Sequence, residues 1–292
     1  MLYIKQLVIE TTSRCNLRCR GCYRYLGQGV RGQGDMSLED FKMVVDQFPK
    51  TTKIVPFSDG EPLLHPDFGD MLAYLALCGY RYNFATNGTL DRPDVWEIAL
   101  DTAESICISL DGFRLSTIKY YRGVKTDPRA RVNALLSSKR TCAIAVSLAR
   151  QGQSWGEIED FIRRWLFAGA DYVIIRHWLS SEQLDEGIND AYTCKYWRGY
   201  YFVVRSDLKV RLCERNMNSP IIGDLKEESV KTVARRLGPH EICDTCGQKY
   251  CGDGWYGQLH FKGDDSHTYY VKKDYFNTIY SLKDVREGVS WE

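Results

Sequence analysis

Short apolar runs alternate with amphipathic stretches along the first two-thirds of the chain. The runs at 3–9, 52–57, 81–86, 105–110, 143–148 and 171–176 have the length and β-branched content of strands. Between them the stretches 38–48, 67–78, 93–102, 128–138 and 155–168 repeat apolar residues at roughly the helical period, and Ser37 is placed to cap the first. Strand–helix alternation repeated about six times predicts an α/β chain with a parallel sheet. In such sheets, loops at the C-terminal ends of the strands form the site.

After residue 178 the pattern changes. YYFVVRSDLKVRLC alternates like a hairpin with Ser206 and Asp207 near the turn, IIGDL follows, and 226–237 reads as a helix. The tail, 261–292, shows no motif. These shifts predict a core over 1–180, a small module over 181–260 and a tail packing on the core.

Composition narrows the function classes. The 39 Lys and Arg nearly balance the 38 Asp and Glu, so no sequence-independent nucleic-acid footprint is expected. The start, MLYIKQLVIE, lacks a signal-peptide pattern, and no run approaches the ~18 apolar residues of a membrane helix. A cytoplasmic chain with reduced thiols is expected.

Eleven cysteines then need an account. Cys78, Cys107 and Cys142 lie singly in apolar runs and read as small buried hydrophobes. Cys15, Cys19 and Cys22 form C-x3-C-x2-C directly after the first strand, at the end of the sheet where a site would form. Three thiolates without a nearby fourth suit an iron–sulfur cluster with one iron open. A structural zinc site would want its fourth ligand close by. Cys194, Cys213, Cys243, Cys246 and Cys251 provide enough thiolates to close a second cluster, although C-x2-C is equally a zinc signal.

With an aromatic, Tyr23, after the third cysteine, the front motif resembles that of the radical S-adenosylmethionine (radical SAM) superfamily. Three later stretches match in order: PFSDGEPLLHPDF at 56–68, FATNGT at 84–89 and ISLDG at 108–112. One departure stands out. Where the family has Gly-Gly-Glu-Pro, this chain has Asp59-Gly60-Glu61-Pro62, preceded by Ser58. Aspartate lacks the backbone freedom of glycine, but could place a carboxylate near the cofactor's amine.

The resemblance implies a partial (β/α)6 parallel barrel followed by a small α+β cluster-binding module of the twitch or SPASM type. It implies a four-iron, four-sulfur (4Fe-4S) cluster on Cys15, Cys19 and Cys22, with S-adenosylmethionine on the open iron. Tyr23 would lie by the adenine; Ser58, Asp59, Gly60 and Glu61 by the methionyl amine; Asn87 and Ser109 by the ribose. Arg150 would meet the methionyl carboxylate. Four of the five rear cysteines would hold one auxiliary 4Fe-4S cluster, which favours a two-electron oxidation. The substrate would be a small molecule or a peptide, with electrons from a flavodoxin- or ferredoxin-type donor. An N-terminal leader-recognition domain is not expected, because strand one starts at residue 3. Near the end of strand six, Arg176 could orient or deprotonate a substrate hydroxyl, with His177 and Trp178 beside it. Two other outcomes stay open: a redox-neutral epimerase or isomerase, and a zinc-organised binding protein without catalysis.

Overall fold

The computed structural model describes residues 4–22, 24, 34–177, 200–214, 219–238, 240–241 and 269–272. Six strands form in the predicted order: β1 (Gln6–Ile9), β2 (Lys53–Val55), β3 (Asn83–Thr86), β4 (Ser105–Ser109), β5 (Ala143–Arg150) and β6 (Tyr172–His177). Helices α1 (Leu38–Val45), α2 (Phe68–Leu77), α3 (Pro93–Thr102), α5 (Arg129–Ser137) and α6 (Trp155–Phe167) match the five amphipathic stretches. Ser37 caps α1 by accepting from the Asp40 amide at 3.0 Å. The helix α4 (Leu115–Arg122) was not expected; among its residues only Ile118 is buried, so its apolar stripe is too thin to read.

The parallel sheet is interrupted. β1 pairs with β2, and β3 through β6 pair in sequence order, but a single bridge, Ile54 to Tyr82, joins β2 to β3. β2 has only three residues, and Pro56 follows it without an N–H for the ladder.

Both outer strands of the six carry a further strand. β7 (Tyr201–Val204) runs parallel to β1, with Val8 opposite Val203, and continues through β8 (Lys209–Arg211) to β9 (Ile221–Asp224). β7 and β8 form the predicted hairpin, turning through Leu208 in the left-handed region at φ 68°. β10 (Tyr269–Lys272), in the tail that showed no motif, pairs antiparallel with β6. Unpaired strand edges invite association, so both additions cover exposed hydrogen-bonding groups. The short helix α7 (Val230–Ala234) closes this part, inside the expected 226–237.

Strand side chains alternate between two environments. Leu7, Ile9, Phe84, Ile106, Ile108, Ile144, Val146 and Leu148 pack into the main core with the helices. The opposite, inner face differs between the sheets. Over β1, β2 and β7 it holds a second small core of Val8, Val55, Tyr201 and Val203. Over β3 to β5 it carries Ala85, Cys107, Ser109, Ala145 and Ser147, which the register sets side by side. Short side chains there leave room above the sheet. Of the three cysteines expected to be buried, only Cys142 is; Cys78 follows α2 half-exposed, and Cys107 is on this inner face.

Candidate functional site

The three front cysteines occupy the loop that leaves β1. Asp35 ties its start down, accepting from Thr12 Oγ1 at 2.5 Å and from Arg14 Nε and Nη2 at 2.9 and 2.6 Å. The far side rests on α4: the Arg20 amide donates to Tyr121 O at 2.8 Å, and Cys19 Sγ lies 3.7 Å from Arg122 O. Cys15, Cys19 and Cys22 are all half-buried and in no disulfide. Burial pushes the Cys19 thiol up to about 11 and raises that of Cys22.

The segment after β2 is clamped onto this loop. A Cβ on Gly60 would fall 1.9 Å from the Thr12 carbonyl oxygen, so no other residue fits. The next amide, Glu61 N, donates to Arg14 O at 2.8 Å. The Glu61 carboxylate is fully engaged. It accepts from Thr86 Oγ1 at 2.6 Å, the Asn87 amide at 2.7 Å and the Leu63 amide at 3.3 Å. Burial pushes its carboxyl up, against these three donors. Glu61 therefore fastens the end of β3 to the segment after β2.

Asn87 is likewise built into the site. Its Nδ2 donates to Asn16 Oδ1 at 2.8 Å inside the cysteine loop, and its Oδ1 accepts from the Thr89 amide at 2.9 Å. Ser109 accepts from Ser147 Oγ at 3.2 Å on the inner face. Arg150 is the last residue of β5, which runs two residues beyond the expected 143–148, and its guanidinium stacks 4.6 Å over the Trp155 ring. Asp59 keeps an ordinary backbone: among described non-glycine residues only Asp111 and Leu208 have positive φ. The glycine freedom that Asp59 gives up is not needed there. Ser58 is half-buried beside it.

The structure thus gathers Cys15, Cys19, Cys22, Ser58–Glu61 and Asn87 at the C-terminal ends of β1 to β3, with Ser109 and Arg150 at the ends of β4 and β5. Tyr23, Trp178, Cys194, Cys243, Cys246 and Cys251 lie outside the described residues, and Arg176 and His177 are described only as backbone of β6. Cys213 is described; it packs against the small inner-face core.

Asp111 and Arg122 were missed. Asp111, the fourth residue of ISLDG, has φ 59°, a costly conformation for a side-chain-bearing residue. Its Oδ1 accepts from the Ala149 amide at 2.7 Å and its Oδ2 from Arg122 Nη1 at 2.6 Å. Arg122 is the last residue of α4 and precedes Gly123, whose φ of 66° stops the helix. Arg-Gly after YY was a legible helix end, but only to a reader who had found the helix.

A cluster and a nucleoside cofactor would need matching ligands and polar partners here. Among the described residues, no three His, Cys, Asp or Glu side chains gather as a ready-made single-ion site. The fit therefore rests on the donor set: soft thiols on one loop, close enough to perturb each other's charge, which suit iron–sulfur ligation. Arg24 Nε and Arg122 Nε are also buried without partners, and such groups call for an acceptor. The residues fit.

Comparison with known proteins agrees with this geometry. The family model described as the radical SAM superfamily matches residues 9–164. An AdoMet-dependent heme synthase of Methanosarcina barkeri is 26% identical over 227 residues, covering 68% of this chain and 64% of that protein. The mycofactocin maturase MftC of Mycobacterium tuberculosis is 26% identical over 158 residues, covering 53% and 40%. The chain thus spans less than two-thirds of either relative. Among solved structures, Streptococcus suis SuiB superposes with a TM-score of 0.64 over 87% of this chain and 73% of SuiB, at 15% identity, a likeness of fold.

Proposed function

Because the chain belongs to the radical SAM superfamily, we propose that it is an oxidising member acting on a peptide or small molecule in a biosynthetic pathway. When bound, a 4Fe-4S cluster and S-adenosylmethionine supply one-electron cleavage of the sulfonium and removal of a substrate hydrogen atom. The protein's part is to hold and orient. Cys15, Cys19 and Cys22 ligate the cluster. The Ser58–Glu61 backbone receives the methionyl amine, and the Glu61 carboxylate keeps that backbone registered to β3. Asn87 and Ser109 border the ribose, Tyr23 the adenine, and Arg150 the methionyl carboxylate. Arg176 orients the substrate above the short side chains of the inner face.

The observation that carries this reading is the closure at Gly60, which presses the segment after β2 onto the cysteine loop without room for a methyl group. The run β1 to β6, with β7 and β10 rather than each other on its outer strands, supports a partial barrel over 1–180. The hairpin before Cys213 supports a cluster-binding module over 181–260, with four of Cys194, Cys213, Cys243, Cys246 and Cys251 as ligands and 261–292 as a packing tail. A flavodoxin- or ferredoxin-type donor would supply the electron that starts the reaction, and an auxiliary cluster would take the electron left by an oxidised substrate radical. A peptide substrate is favoured by MftC, a maturase, and by a SuiB structure bound to the precursor peptide SuiA.

The test is iron, sulfide and zinc per chain after anaerobic reconstitution, for the wild type and a Cys15/Cys19/Cys22→Ala variant. About eight irons falling to about four is expected. Stoichiometric zinc with little iron would sink the reading.

A further inference from the structure

Asp59, the departure from the family's glycine, has a partner far along the chain. Its Oδ2 lies 3.1 Å from Arg211 Nη1, across 152 residues. Arg211 is 4% exposed and stands in β8, two residues before Cys213. The Asp59 carbonyl accepts from Arg24 Nη1 at 3.3 Å, and the same nitrogen donates to Ser13 O. One residue therefore meets the cysteine loop through its backbone and the C-terminal hairpin through its side chain. A second polar contact runs beside it: Glu10, just past β1, accepts from the Ser206 amide at 3.2 Å.

The hairpin does not need this ion pair to stay attached. The β1–β7 ladder and the Val8, Val55, Tyr201 and Val203 core already hold it. Buried ion pairs add little net stability, because desolvation offsets the attraction. What the pair adds is orientation between two segments that the ladder leaves adjustable. Asp59 and Gly60 are consecutive, so a shift of Asp59 is passed to the clamped backbone next to it.

We propose that Asp59 and Arg211 form a positioning pair that locks the hairpin carrying Cys213 to the segment receiving S-adenosylmethionine. Binding of that cofactor and placement of Cys213 are then coupled. This rests on the reading that Ser58–Glu61 receives the cofactor, and the test separates the two ideas.

The full-length chain, with its cluster reconstituted anaerobically, is followed by hydrogen exchange with and without S-adenosylmethionine. In the wild type the cofactor should slow exchange about fivefold or more in peptides spanning 57–61 and also in those spanning 208–213. Asp59→Asn keeps the side chain's shape and removes its charge. It should retain the first protection, lose the second and weaken cofactor affinity about fivefold in equilibrium dialysis. Arg211→Lys, which keeps the charge, should retain part of the second protection.

If the cofactor slows neither region of the wild type, the cofactor reading fails and the pair's role falls with it. Protection confined to 57–61 in the wild type overturns the pair's role while the reading stands. Full protection of both regions in Asp59→Asn overturns it as well. If Asp59→Asn does not fold, Arg211→Gln takes its place, with the same two outcomes.

Discussion

A few residues carry constraints out of proportion to their size. Gly60→Ala puts a methyl 1.9 Å from the Thr12 carbonyl oxygen, an overlap with backbone that no rotamer relieves. A loss of roughly 3 kcal/mol of stability is expected by denaturant titration, with poor iron retention in the same protein. Arg122→Ala strands the Asp111 carboxylate, which is only 5% exposed, without its countercharge. Losing one partner of a buried pair costs about 3–5 kcal/mol, so this variant should melt well below the wild type. Glu10 gives a pH signature. Burial, with Asp59 second, pushes its carboxyl from 4.5 to about 7, while Ser206, Arg205 and Arg211 oppose that. Below pH 4.5 the group is protonated folded and unfolded alike. Between 4.5 and about 7 only the unfolded chain ionises freely, so the native state loses ground as pH rises. Thermal melts of Glu10→Gln against the wild type should move in the variant's favour across that window and stay level below it.

At the scale of elements, Glu61 joins two of them. Glu61→Gln would set an amide N–H2 against at least one of three N–H or O–H donors. A loss of about 1–3 kcal/mol is expected, with faster hydrogen exchange at the Asn87 amide. The elements themselves were largely legible. Period and capping gave away β1 to β6 and five helices, because each buries a clear apolar face against the others. α4 escaped because a helix that buries little has little pattern to show. β10 escaped because its four residues, YYVK, are too short a run to show a period, and the partnership of β7 with β1 because pairing between distant segments leaves no local trace. The site divided the same way. The cysteine motif and Gly60-Glu61 were legible as spacing. The engagement of Glu61 with Thr86 and of Asp59 with Arg211 follows only from three-dimensional placement.

For the whole molecule, the hairpin is part of the main sheet system. A chain truncated after residue 199 loses β7 to β10, and with them the cover over the outer edges of β1 and β6 and over Val8 and Val55. It should associate rather than stay monomeric, as light scattering would show, even with the cysteine motif intact.

The same pairing sets a schedule for biosynthesis. Glu10 meets Ser206 only after 196 further residues have been made. At ~5–20 residues per second, β1 and the cysteine loop emerge from the ribosome ~10–40 seconds before the strand that completes their sheet. During that interval the front thiols have left the ribosome while the strand that completes their sheet has not, which opens a window for metal delivery to the nascent chain.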